Sequence, residues 1–169
     1  MTELIIAGDY RTALSLRETE RAIKFIKDAF QRRLSAALRL QRVSAPLFVR
    51  TGSGINDDLN GSEKKVAFTV KDGGLRAEVV FSLAKWKRMA LADYGFKPGE
   101  GLYTDMNAIR PGEDRLDNLH SVYVDQWDWE RIITPRQRNT AFLKYVVRKI
   151  YRAVRETELE VCAKYPRLR

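Results

Sequence analysis

The chain is poor in the residues that most often hold metals or activate nucleophiles, with one cysteine, Cys162, and one histidine, His120. A lone cysteine excludes an internal disulfide and any thiolate-rich metal site. A lone histidine excludes a zinc centre built on several imidazoles and leaves a Ser-His-Asp or Cys-His arrangement a single possible base. Carboxylates, lysines and arginines must carry any chemistry. Long hydrophobic runs are also missing: nothing approaches the roughly 20 apolar residues that span a bilayer. The amino terminus lacks the basic-then-apolar order of a secretory signal. A cytoplasmic protein with no membrane partner is the expectation. Repeats, low-complexity tracts and interdomain linkers are absent too, so residues 1–169 read as a single domain with a sizeable core.

What is present is a composition of 44% hydrophobic and 31% charged residues, which fits a globular domain rather than a disordered one. The net charge of +9 raises the question of nucleic acid. The basic residues, however, are spread through helical segments and interleaved with acids, and no sheet interleaves aromatic and basic residues in the manner of an RRM. Nucleic acid is therefore not expected as a partner. The same charge can help recruit an anionic substrate such as ATP.

Ser15 and Glu18 have the spacing of a capping box, which predicts the start of a long helix. Ile23, Ile26, Phe30, Leu34 and Leu38 continue it as one apolar stripe. An extended segment with Pro46 follows over 43–50, then a glycine-rich loop over 52–64. Lys71, Asp72, Gly73 and Gly74 form a strong hairpin signal between strands at 66–70 and 75–81. Ser82 is the candidate N-cap of a helix over 82–94, stopped by Gly95. Two further strands, 102–109 and 119–130, are expected to pair antiparallel. Thr134 and Pro135 suggest the start of a last helix, with Phe142, Val146, Ile150, Val154 and Val161 along one side and a length of roughly 45 Å. Strands grouped between long helices make an α+β domain.

The decapeptide SVYVDQWDWE, residues 121–130, is the most informative stretch. Counting by twos, Val122, Val124, Gln126, Asp128 and Glu130 share one strand face; Ser121, Tyr123, Asp125, Trp127 and Trp129 share the other. The first face turns from apolar to polar along its length, which suits a strand running from a core to the floor of a site. A half-exposed edge strand fits the same pattern.

Four blocks in order, GINDDLNGSEK (54–64), FSLAKWKR (81–88), LYTDMNAIRPGEDR (102–115) and SVYVDQWDWE (121–130), resemble the ammonia-dependent asparagine synthetases, the aspartate-ammonia ligases. The resemblance is dense from residue 24 to residue 130 and weaker beyond. It implies a class II aminoacyl-tRNA synthetase-like fold, an antiparallel sheet flanked by long helices, incomplete at its C-terminus. It further implies ATP-dependent activation of the aspartate side-chain carboxylate as an adenylate, then amidation by ammonia. Aspartate, ammonia and ATP would be the small-molecule partners, with Mg2+ offsetting phosphate charge. The first long helix and following strand resemble the dimer-forming first motif, so a homodimer is expected.

The resemblance also assigns roles. Arg110, where a strand gives way to a charged loop, matches the arginine that contacts the α-phosphate of ATP; a planar guanidinium can bind two phosphate oxygens at once. An ion pair with Glu113 or Asp114 across the turn is the alternative. Gln126 and Asp128 match positions that recognise aspartate, the amide for its side chain and the carboxylate for its ammonium group. Ser82 and Lys87 match substrate contacts at a helix start, where a carboxylate is favoured. Glu130 is expected on the ATP or metal side, an exposed strand end being the alternative. Asp57, rather than the adjacent Asp58 by the register through Leu59, matches a carboxylate that assists amidation by orienting ammonia or taking its proton; paired aspartates are otherwise turn formers. Lys85 reads as surface, and Trp86, Trp127 and Trp129 as core. No protein metal cage is expected.

Two departures stand out. Phe81 occupies a position where the family tends to place a polar side chain. The glycine-rich third motif, a second ATP-contacting arginine and the acidic metal positions of the family are not visible in this sequence. A piece of a longer enzyme, or a shortened relative that binds aspartate or AMP without turnover, is expected.

Overall fold

The computed structural model describes residues 4–57, 64–113 and 115–168, so Asp58 and Asp114 lie outside the described residues. In chain order the elements are α1 (Leu16–Leu38), β1 (Leu40–Arg42), β2 (Phe48–Arg50), β3 (Ala67–Thr69), β4 (Arg76–Val79), α2 (Ala84–Asp93), β5 (Gly101–Ile109), β6 (Tyr123–Arg131) and α3 (Thr140–Lys164), with short 3-10 turns flanking α3. The strands form two three-stranded sheets, ordered β1-β5-β6 and β2-β4-β3. The chain divides into two compact units, one of Arg42–Phe96 and Leu102–Glu130 with residues 4–6, the other of Ala7–Gln41, Lys97–Gly101 and residues 131–168.

The first unit is built around the β3–β4 hairpin. Ala67 pairs with Glu78 and Thr69 with Arg76 in antiparallel register. Gly73 and Gly74 turn the chain at φ of 79° and 62°, the left-handed region that a side chain disfavours. On the other side of β4, β2 pairs antiparallel, Phe48 with Val79 and Arg50 with Ala77. The core of this unit gathers Val49, Val80, Leu83, Met106 and Ala108, with Ile55, Trp86 and Val124 packed on it. Of the expected extended segment over 43–50 only Phe48–Arg50 is strand, β2; β1 ends before it at Arg42, and Pro46 lies in the connection between the two.

The second unit is built around α1 and α3. The capping box of α1 is formed: the Glu18 backbone N–H donates to the Ser15 hydroxyl, and the Ser15 backbone N–H donates to the Glu18 carboxylate at 2.8 Å. The buried line of α1 is Ala22, Ala29, Leu34 and Leu38, while Ile23, expected on the stripe, is 43% exposed. Phe25 meets Tyr165 edge-to-face at 6.4 Å, and Arg33 pairs with Glu156 at 3.6 Å and with Glu160.

The last helix corrects the sequence reading. Thr134 and Pro135 close only a 3-10 turn, with Gln137 completing its capping box. The α-helix itself starts at Thr140, where the Asn139 side chain accepts the Phe142 N–H at 2.9 Å. Its 25 residues make it about 37 Å long rather than the expected 45 Å. Its buried residues are Ala153, Thr157 and Val161, and Val154 is turned outward.

Candidate active site

The expected site residues lie in the first unit. On β6, Val124 packs on the core, and Gln126, Asp128 and Glu130 follow on the same face, each half-buried. The apolar-to-polar gradient thus starts on the core at Val124 and ends in half-buried polar side chains. The strand starts at Tyr123 rather than Leu119, because 119–122 belong to the approach from the loop. Within that loop the Asp117 carboxylate accepts the backbone N–H groups of Leu119 and His120, at 2.8 and 2.9 Å, and contacts the His120 ring. The Leu119 N–H, then the imidazole, hold its pKa below the usual carboxylate range. The only histidine is therefore engaged in a turn and is half exposed.

Helix α2 supplies the cation. Its buried face carries Lys87, Ala90 and Leu91, so the helical period turns a lysine inward and leaves it 8% exposed. A buried ammonium requires acceptors. Lys87 Nζ finds the Asp128 carboxylate, the Trp129 carbonyl at 3.2 Å and Glu130 at 3.6 Å. Two carboxylates facing one ammonium leave a surplus of negative charge. The helix begins at Ala84, two residues later than expected, with Leu83 at its N-cap and no side-chain cap; the Ser82 hydroxyl accepts the Ala84 N–H at 3.3 Å. Ser82 is thus beside the helix start rather than its N-cap.

Arg110 follows β5 directly, its backbone N–H donating to the Val122 carbonyl at 2.7 Å. Glu113 donates its own N–H to the Arg110 carbonyl at 3.3 Å and makes no ion pair with the guanidinium. Arg110 Nε is buried without a hydrogen-bond partner, and the guanidinium lies 5.6 Å over the centre of the Phe81 ring. Of the alternative expected, a pair of Arg110 with Glu113 or Asp114, the Glu113 pair does not form and Asp114 lies outside the described residues. Asp57 is half-buried and lies 3.6 Å from Lys85, which is exposed as expected of a surface lysine. Trp86 packs on the core as expected, whereas Trp127 and Trp129 are only half-buried.

Sequence reasoning missed Asn56. It is 3% exposed, donates its amide to the Val79 carbonyl at 3.1 Å and accepts the Phe81 N–H at 2.8 Å. It ties the Asp57 loop to the junction between β4 and α2. A single asparagine inside a loop gives no signal of such a role. The inward turn of Lys87 did leave one: Leu83, Lys87 and Leu91 recur at helical spacing.

The profile of the family described as aspartate-ammonia ligase matches residues 17–169 of the chain. The chain belongs to that family. It is 58% identical over 170 residues to the aspartate-ammonia ligase of Bacteroides thetaiotaomicron, covering all of this chain and 49% of that one. It is 60% identical over 164 residues to that of Clostridium tetani, covering 96% of this chain and 48% of that one. The chain thus spans about half the length of the curated ligases it matches. Among solved structures, the histidyl-tRNA synthetase of Nostoc sp. PCC 7120 aligns at a TM-score of 0.54 and 12% identity, covering 88% of this chain and 34% of that one. That likeness is one of fold, and the α+β class II synthetase-like architecture expected for aspartate-ammonia ligases is what it shows. Among the described residues no helix is long and apolar enough to cross a membrane.

Proposed function

We propose that this chain is the N-terminal part of the catalytic domain of an aspartate-ammonia ligase, which activates the aspartate side chain with ATP and passes it to ammonia. The observation that carries the reading is the Lys87, Asp128 and Glu130 cluster beside Gln126. Its surplus negative charge suits a second ammonium, the one borne by an amino-acid substrate, against Asp128. Lys87, in the first turns of α2, and Ser82 at its start suit the α-carboxylate. Gln126 can pair with the side-chain carboxylate and later with the carboxamide that replaces it.

Attack of that carboxylate on the α-phosphorus of ATP spreads charge over phosphate oxygens, and Arg110 offers them a guanidinium whose Nε has no other partner. Pyrophosphate leaves and an aspartyl-adenylate remains. Asp57 then orients ammonia or accepts its proton, so that the nitrogen attacks the acyl carbon and AMP departs. Glu130 is the carboxylate that would meet magnesium on the ATP side, with phosphate oxygens as the other ligands. Bound in that way, magnesium would supply charge neutralisation of the phosphates. A cytoplasmic homodimer, formed through the first long helix and the strand that follows it, α1 and β1, completes the reading.

The test is aspartate-dependent ATP–pyrophosphate exchange in the complete ligase. Arg110→Lys keeps the charge but loses the bidentate fork, and exchange is expected to fall by about a hundredfold with an unchanged thermal midpoint. Unchanged exchange would remove Arg110 from the site. Aspartate or AMP binding without any exchange in the unsubstituted protein would favour a binding module instead.

A further inference from the structure

We propose that Phe81 is the positioning residue for Arg110, an aromatic platform that aims the guanidinium while leaving its N–H donors unspent. The proposal rests on the reading of Arg110 as the group that meets the α-phosphate. The guanidinium lies over the Phe81 ring at 5.6 Å from its centre, within the range where the ring quadrupole attracts a cation. A polar neighbour would hold the same side chain by accepting one of its hydrogens. A ring face holds it without taking any, and Arg110 Nε is indeed buried with no acceptor. That covered donor is a cost to the folded chain, which the attraction between guanidinium and ring helps to offset.

A platform is useful only if it is itself fixed, and Phe81 is fixed from several directions. The residue is 4% exposed, and its backbone N–H donates to Asn56 Oδ1 at 2.8 Å. The other end of the same amide donates to the Val79 carbonyl at 3.1 Å. Between them, Val80 is 1% exposed and donates its N–H to the Leu47 carbonyl at 2.9 Å. Three consecutive residues, Val79 to Phe81, are thus pinned by partners distant in sequence. Ser82 follows immediately, so the same clamp that sets the ring also sets the start of α2.

The experiment uses the complete ligase and reads aspartate-dependent ATP–pyrophosphate exchange as separate KM values for ATP and aspartate and as kcat. Phe81→Leu keeps apolar bulk but removes the ring face, and a loss of about tenfold in kcat/KM for ATP is expected, with KM for aspartate unchanged. Phe81→Tyr, which keeps the face, is expected to restore most of that loss. Should Phe81→Leu fail to fold, mono-, di- and trifluorinated phenylalanine at position 81 weaken the face at nearly constant volume, and exchange should decline stepwise along the series. A flat response to fluorination, or equal loss for ATP and aspartate in Phe81→Leu, would overturn the proposal. Arg110→Lys separates the two layers: if it costs exchange while the fluorinated series is flat, only the platform fails. If Arg110→Lys itself is silent, the phosphate reading fails with it.

Discussion

Lys87 and Asp128 offer the sharpest test of how the site is held together. The perturbation is a double-mutant cycle with Lys87→Met and Asp128→Asn. At 3.6 Å, the separation of Lys87 from Glu130, unit charges attract by about 5 kcal/mol at an effective dielectric of 20 and by about 1 kcal/mol in bulk water. The Lys87 side chain is 10% exposed and those of Asp128 and Glu130 are 23% and 32% exposed, so water reaches the carboxylates but barely reaches the ammonium. A Lys87–Asp128 coupling between those limits, about 2 kcal/mol, is therefore expected. Lys87→Met alone leaves two carboxylates facing each other across a lost cation, and Asp128→Asn leaves the ammonium to Glu130 and one carbonyl. The double variant removes both problems and should be more stable than the sum of the singles predicts. Urea unfolding followed by tryptophan fluorescence reads the cycle directly, since Trp127 and Trp129 flank Asp128. With an m-value of about 2 kcal/mol/M, the coupling appears as a midpoint difference of about 1 M. Additive singles would show that solvent screens the cluster and that Lys87 is held by packing alone.

In the complete ligase, Asp57→Asn is expected to spare pyrophosphate exchange and slow only the ammonia step, and rapid-quench separation of the half-reactions checks this; equal loss in both would assign Asp57 to its loop. Asn139→Ala removes the side chain that caps α3 and should lower stability by about 1 kcal/mol in urea unfolding, whereas Thr134→Ala, at the head of a 3-10 turn, should cost less. Glu18 titrates below the usual value, first because the Ser15 backbone N–H donates to its carboxylate, then because of the Ser15 hydroxyl. A carboxyl whose folded pKa is depressed favours folding above its unfolded pKa. That contribution should disappear as pH falls through the lower folded pKa, so the stability difference between the unsubstituted chain and Glu18→Gln should shrink in acid. A difference independent of pH would remove the charge from the cap.

Local rules were enough for what is decided within a few residues. The α1 cap was legible because Ser15 and Glu18 satisfy each other's backbone within one turn, and the β3–β4 hairpin because only glycine readily takes the positive φ at 73 and 74. The strand carrying Gln126, Asp128 and Glu130 was legible from a period of two, and family membership from four ordered blocks of sequence. Tertiary structure decided the rest. Periodicity marks a stripe, but the partner helix selects its centre line, which is why Ala22 and Ala153 are buried while Ile23 and Val154 face outward. Thr134 and Asn139 both carry capping chemistry, and only the structure shows that Asn139 opens the α-helix while Thr134 heads a 3-10 turn. The pairing of Lys87 with Asp128, the clamp by Asn56 and the ring beneath Arg110 join residues 41, 25 and 29 positions apart. Charges and rings at such separations have no local energetic signature, because their partners come within reach only once the strands and α2 have packed.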